Sequence, residues 1–182
     1  MPTNWDLVAR LTLVRPSLAF VASHLEFIEE MSAVGDTIWP SRLPRSGEEL
    51  ATFVARLFLK ETAPEPPAVP ESVHWGVVDD RVVGFIALRH QLNEQLAKFG
   101  GHIGYEVRPS CRRQGVATAM LRLLLVTERA QTLRRILVTC APSNAGSRKT
   151  IEANGGLLES IVFVDEVQRE TCRYWIDVEG GR

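Results

Sequence analysis

The chain has 182 residues, 45% of them hydrophobic and 24% charged, with a formal net charge of −1. That size and balance fit one soluble globular domain with a sizeable core, and the near-zero charge gives no general attraction for nucleic acid or an anionic membrane. No apolar run reaches the roughly 18 residues of a membrane span, and the start MPTNWDLVARLTLVRP lacks the basic-then-apolar order of a secretory leader. Cys111, Cys140 and Cys172 lack CxxC spacing, and His24, His74, His90 and His102 are scattered, so no zinc signature is present. A reduced, cytoplasmic protein of enzyme size is the expectation.

In chain order, residues 7–16 read as a strand carrying Val8, Leu11, Leu13 and Val14. Ser17 is placed to cap a helix over 18–33, where Leu18, Val21, Leu25, Ile28 and Met31 recur at helical spacing. A second helix is predicted over 47–60, opened by a capping box from Ser46 and Glu49. The proline-rich ETAPEPPAVPE that follows is a stiff connector. Residues 72–78 and 81–90 flank Asp79-Asp80 as a hairpin, with Val83, Phe85 and Ala87 on one face and Val82, Ile86 and Leu88 on the other. A strand apolar on both faces belongs in the middle of a sheet. Residues 91–101 read as a loop with at most one helical turn, 102–107 as a strand, and 115–131 as one long helix, apolar over most of its circumference. Strand 135–140, helix 144–154 ended by Asn154-Gly155-Gly156, and two strands from LLESIVFV and ETCRYWIDV complete the chain. The order predicts an α/β (α+β) fold, a mixed and largely antiparallel sheet of about seven strands with helices on both faces.

The stretch VRPSCRRQGVATAML, residues 107–121, runs from a strand through a basic turn into a helix. The first free N–H groups of that helix fall around Arg113 to Thr118, where the helix dipole adds partial positive charge. Gly115 removes a side chain that would hold a ligand off the backbone. A phosphate or pyrophosphate is the natural guest of such a junction. On these grounds alone a merely solvated basic turn is the commoner reading. Neither a Walker loop nor a GxGxxG turn is present.

EVRPSCRRQGVATAMLRLLL resembles the central motif of the GNAT superfamily of N-acetyltransferases, Gln/Arg-x-x-Gly-x-Gly/Ala, matched by Arg112, Gly115 and Ala117. LVTCAPSNAGSRKTIEANGG resembles the family's second segment, a strand, Asn-x-x-Ser/Ala, a helix and a glycine, with Asn144, Ser147 and Gly155 in register. The element order agrees over roughly residues 7–178. RHQLNEQL, the stretch from Gly100 to Leu121 and the terminal RYWI are similar to a bacterial group described only as predicted acetyltransferases. The fold implied is a sheet splayed open at the strand through Tyr105, Glu106 and Val107.

The resemblance implies acetyl-CoA as co-substrate. Its pyrophosphate would lie on the amides of Arg113, Gln114, Gly115, Val116, Ala117 and Thr118, with Arg112 and Arg113 adding charge. Tyr105, Glu106 and Val107 would pair with pantetheine as a neighbouring strand does, and Asn144, with Ser147, would meet its arm. Asn144 and Ser147 also read as caps of helix 144–154. The reaction implied is direct transfer of acetyl from sulfur to an amine, which needs a neutral amine, a stabilised oxyanion and a leaving thiolate. An alkyl amine has a pKa of about 10.4, so a base or a desolvating pocket is required. The Val107 N–H is the candidate oxyanion donor. Glu106 and His102 are the candidate bases, since strand alternation puts them on one face with Gly104. His90, Asn93 and Glu94 form a candidate acceptor set, against a plain solvated loop. Many family members carry a proton-donating Tyr seven residues after the motif Asn; here that position is Ile151. Either the thiolate leaves without it, or the domain is a non-catalytic acyl-CoA sensor. RETCRYWIDV, apolar on both faces, is either core or a strand-exchange surface, and a homodimer is expected. No nucleic acid, membrane or metal partner is expected, and the acceptor is not legible.

Overall fold

In the computed structural model, which describes residues 4–178, seven strands form two antiparallel sheets. The first runs β1 (Thr12–Val14), β2 (Glu71–Val78), β3 (Arg81–Arg89), β4 (Ile103–Val107) in that spatial order. The second is formed by β5 (Arg135–Cys140), β6 (Leu157–Val164) and β7 (Arg169–Asp177), with β7 in the middle. The helices are α1 (Asn4–Ala9), α2 (Leu18–Ala33), α3 (Leu50–Leu59), α4 (Glu94–Lys98), α5 (Val116–Leu125), α6 (Glu128–Leu133) and α7 (Ala145–Glu152).

The first sheet is covered on both faces. Phe27, Ile28 and Met31 of α2 and Phe53, Val54 and Leu57 of α3 pack with Trp75, Phe85 and Ala87. On the opposite face Val116, Met120, Leu121 and Leu124 of α5 pack with Ile86 and Leu88. Met120 lies directly over β2 and β3. A Cβ at Gly76 would come within 2.7 Å of its sulfur, and one at Gly84 within 2.6 Å of its methyl carbon, so two bare backbones let α5 close on the sheet.

Several boundaries differ from the sequence reading, each for a local reason. Residues 7–16 are not one strand: helix α1 ends at Ala9 and only Thr12–Val14 pair with β2. Leu7 and Val8 reach the core from the helix, so their apolar spacing served a different backbone. The predicted capping box at Ser46 is absent. Glu49 is itself the extended residue before α3, and Glu48 instead accepts hydrogen bonds from Arg45 N (2.8 Å) and Arg56 Nε (2.9 Å). The single helix over 115–131 breaks at Val126-Thr127, where Thr127 Oγ1 bonds Leu124 O and accepts from Ala130 N to start α6. In β3 a bulge shifts the register so that Val82 pairs with Val77 and Gly84 with Gly76. Val83 therefore packs with Ile86 and Leu88, and Val82 with Phe85 and Ala87, reversing the expected faces. Asp79 and Asp80 form the expected hairpin turn, both with positive φ (48° and 60°). The C-terminal strand is core: β7 is paired on both sides, which removes its strand-exchange reading. In this sheet the exposed large apolar residues sit instead on the edge strand β6, at Leu157, Leu158, Ile161 and Phe163.

The two sheets meet only at their ends. His102 N donates to Leu137 O (2.7 Å), and Leu137 N donates back to His102 Nδ1 (2.9 Å). Gly100 N adds a bond to Thr139 Oγ1 (2.8 Å). Beyond this rivet β4 and β5 share no ladder, and the gap between them is where a ligand can enter.

Candidate active site

Antiparallel pairing decides which backbone groups face the gap. Arg89 N donates to His102 O and Arg108 N to Val83 O. The alternation of the ladder then turns the N–H and C=O of Gly104 and Glu106 toward β3, and those of Ile103, Tyr105 and Val107 toward β5. Val107 O is taken by Arg112 Nε (3.0 Å). The amide of Val107 and both backbone groups of Tyr105 face the opening, as a strand-like partner such as pantetheine requires.

A cleft of about 1040 Å³ lies at this gap. Tyr105, Cys140, Asn144 and Ser147 line one side; Arg42, Glu71, Arg89 and Glu106 line the other. Tyr105 Oη and Ser147 Oγ are 2.7 Å apart, and burial pushes the Tyr105 phenol up to about 12. Asn144 Oδ1 accepts from the Ser147 backbone N–H (2.9 Å), so the structural capping role is present for Asn144 and fixes its side chain at the start of α7, while the Ser147 hydroxyl is held by Tyr105. Burial also raises the Cys140 thiol to about 11, keeping it protonated.

The Glu106 carboxylate is largely buried, and desolvation raises its pKa while Arg42 opposes the rise. Arg42 Nε stands 3.6 Å from Glu106 Oε2, with its guanidinium 3.1 Å from the centroid of the Phe85 ring. Burial lowers the Arg42 pKa to about 10, against the pull of Glu106 and Glu71. Deeper in the cleft Lys60 pairs with Glu71 (2.8 Å), and Arg89 Nη1 donates to the carbonyls of Gly100 and Gly101 (3.0 Å each).

Next to the cleft, Gly115 takes φ +83° at the N-cap of α5 and supplies no capping side chain, leaving the first-turn amides of Val116, Ala117 and Thr118 without an intrahelical acceptor. Arg113 adopts φ +61° and is exposed. Arg112 is engaged with Val107 O and Asp36, and Gln114 Nε2 with Ser110 O (3.1 Å). Thr118 Oγ1 lies 3.5 Å from Thr150 Oγ1, tying the start of α5 to α7.

Of the residues singled out from the sequence, the cleft gathers Tyr105, Glu106, Asn144, Ser147 and Asn93. His102 is corrected from a candidate base to a structural group. Its Nδ1 is occupied by Leu137 N, its ring is buried and it does not line the cleft. Alternation does put its Cα in line with Glu106, but the strand begins one residue later and the imidazole turns to β5. His90 bonds Ser72 Oγ (2.7 Å) away from the cleft, and Glu94 borders a separate shallow hollow with Lys98 and Glu166. Asn93 caps α4 through Leu96 N (2.9 Å) while facing the cleft. Ile151 is fully buried in the core beneath α5, so its position does not address the cleft. Arg42, Glu71 and Arg89 were missed. The signal for Arg42 was a lone charge inside the apolar IWPSRLP. Among the described residues no cluster of metal-ligating side chains occurs, and no helix is long and apolar enough to cross a membrane.

An open β edge beside an uncapped helix start, at a break between two antiparallel sheets, is the architecture of a coenzyme A-dependent acyltransferase. The chain belongs to the GNAT acetyltransferase family: the profile described as "Acetyltransferase (GNAT) domain" matches residues 10–156. Solved structures share the fold. RimL, a ribosomal L7/L12 α-N-protein acetyltransferase in complex with coenzyme A, is 16% identical over 96% of this chain and 98% of its own, with a TM-score of 0.69. MccE, a microcin C7 self-immunity acetyltransferase in complex with acetyl-CoA and AMP, is 15% identical over 93% of both chains (TM-score 0.67). Mycobacterium smegmatis RimJ, in complex with a CoA-disulfide, is 20% identical over 92% of this chain and 81% of its own (TM-score 0.65). Curated proteins yield no match to this sequence.

Proposed function

We propose that the protein transfers acetyl from acetyl-CoA directly to a primary amine, with Glu106 as general base. The observation that carries this reading is the placement of a buried carboxylate on the strand whose free backbone edge lines the cleft. The acetyl-CoA complex of MccE and the coenzyme A complexes of RimL and RimJ support the choice of co-substrate. The pantetheine amides pair with the backbone of Tyr105, leaving the Val107 N–H to the thioester, and the diphosphate rests on the amides from Arg113 to Thr118, with the exposed Arg113 guanidinium beside it.

The acceptor nitrogen attacks the thioester carbon, the carbonyl electrons move to an oxyanion facing the Val107 N–H, and the C–S bond breaks as they return. Glu106 receives the ammonium proton, directly or through one water, and burial that raises its pKa makes it a better acceptor. The thiolate is met by the Tyr105–Ser147 hydroxyl pair. A phenol near 12 gives its proton only uphill to a thiolate whose thiol has a pKa of about 8.5, so the pair acts by hydrogen bonding and water protonates the product. This arrangement does without a tyrosine at position 151.

The test is release of free thiol from acetyl-CoA with a panel of amines. Glu106→Gln is expected to lower kcat by about 10²–10⁴-fold while coenzyme A affinity stays within a few-fold. Saturable coenzyme A binding with no turnover of any amine would replace this reading with the acyl-CoA-sensor reading.

A further inference from the structure

Among the described residues Arg42 is the buried cation of the cleft whose fold-given contacts leave it incomplete; Arg169, which also lines the cleft, is exposed. Lys60 is paired with Glu71, Arg45 with Glu65 at 2.7 and 2.9 Å, Arg56 with Glu48, and Arg89 with two carbonyls. Arg42, only 9% exposed, has Glu106 at 3.6 Å, beyond hydrogen-bond distance, and its buried Nε has no hydrogen-bond partner among the described residues. A guanidinium presents five donors, and leaving them unmet in a buried place is costly. Its position is nevertheless fixed. The Arg42 carbonyl bonds His24 Nε2 (2.9 Å), the His24 ring stacks on Trp75 at 4.6 Å, and the guanidinium lies flat on Phe85. The fold therefore holds a buried planar cation at the cleft wall and stops short of satisfying it.

We infer that the acceptor carries a carboxylate close to its amine and that Arg42 grips it, making the substrate an amino-acid-type amine rather than a simple one. The inference rests on the acetyl-transfer reading and deepens it. With hydrogen bonds of about 3 Å from Glu106 to the amine and from Arg42 to the anion, and 3.6 Å between the two side chains, both groups must belong to one compact unit. A carboxylate matches the planar fork of an arginine by two parallel bonds. Charge balance through the reaction points the same way. When Glu106 takes the amine proton it becomes neutral, and Arg42 loses its nearest anion. A carboxylate on the acceptor keeps that buried cation paired while the proton moves.

The experiment compares each free amino acid with its carboxamide as acceptor, measuring kcat/KM by thiol release in the wild type, Arg42→Gln and Arg42→Lys. A C-amidated peptide with an acidic first residue is run beside them, to separate a main-chain carboxylate from a side-chain one. The expected result is a preference of at least tenfold for the acid over its amide, reduced tenfold or more by Arg42→Gln and only partly kept by Arg42→Lys. Activity on the acidic peptide, lost in the same way, supports the same carboxylate site with the other carrier. Amides accepted as well as acids, or a preference that survives Arg42→Gln, would overturn the inference while leaving acetyl transfer intact. No turnover of any amine defeats acetyl transfer instead. The carboxylate site is then read by calorimetry of N-acetylglycine with the coenzyme A-saturated protein: heat in the wild type and none in Arg42→Gln supports it, and no heat in the wild type sinks it. If Arg42→Gln does not fold, the wild-type comparison of acids with amides decides alone.

Discussion

Replacing His102 separates structure from chemistry at the sheet junction. Two substitutions divide the expected cost. His102→Leu keeps volume but removes the acceptor of Leu137 N, orphaning a donor on a strand whose Leu137 side chain is fully buried; that costs about 1–3 kcal/mol. His102→Ala adds the loss of packing in a site only 7% exposed, bringing the total to about 3–4 kcal/mol. The reciprocal bond from His102 N to Leu137 O is made by backbone and survives both changes. Urea denaturation should therefore show a lowered midpoint at unchanged slope, in the order wild type, Leu, Ala. The folded fraction of each variant should retain kcat within a few-fold, since the ring does not reach the cleft. A hundredfold fall in kcat at wild-type stability would refute the structural assignment and return the imidazole to the reaction.

Gly84→Ala would set a methyl 2.6 Å from Met120 Cε and 2.9 Å from Glu106 O; destabilisation of about 1–3 kcal/mol is expected by urea unfolding, and a neutral result would mean that α5 is less closely seated. Gly115→Ala forces a side chain onto φ +83° at a cost of about 1–2 kcal/mol, and calorimetry should show weaker coenzyme A binding; unchanged affinity would place the diphosphate elsewhere. Burial lowers both His24 and His74 to about 4. As pH falls below about 6.5 the unfolded chain takes up protons that the fold resists, so stability drops between pH 6.5 and 4 and the loss levels off below that. For the buried His24 the full loss is about 3 kcal/mol. Melts at pH 7, 5.5 and 4.5 should show it, and His24→Phe should shrink it; a flat profile would contradict the buried stack.

The half of the candidate site proposed for the cofactor could be picked out in the sequence because it is built from local sequence and backbone. Gly115 announces a helix start without a side-chain cap, and Asn144 caps one helix through the amide of Ser147 three residues on. The half proposed for the acceptor could not, because it is assembled by side chains from distant segments. Arg42 reaches Glu106 across 64 positions, and Lys60, Glu71 and Arg89 meet only after the hairpin and α3 have packed. The same distinction explains His102. Period-two alternation reads a strand correctly only inside its ladder, and His102 stands just outside, where the chain turns from one sheet to the other.

Strand β4 can serve several tasks because an edge strand at a break offers three independent directions. In the plane of the sheet, Gly104 and Glu106 spend their backbone groups on β3, which makes the strand rigid, while Tyr105 and Val107 turn theirs into the gap. Out of the plane, side chains alternate, so Glu106 faces Arg42 and the α2–α3 side as Tyr105 faces Ser147 and α7. The proposed base and the proposed oxyanion donor thus come from consecutive residues, pointing about a right angle apart, without either competing for the other's space. The arrangement depends on parity: a shift of β4 by one residue would exchange the two sets, sending the carboxylate into α7 and pairing the Val107 amide with β3. The bonds joining His102 to Leu137 at the foot of the strand fix that parity from the side where no ladder does.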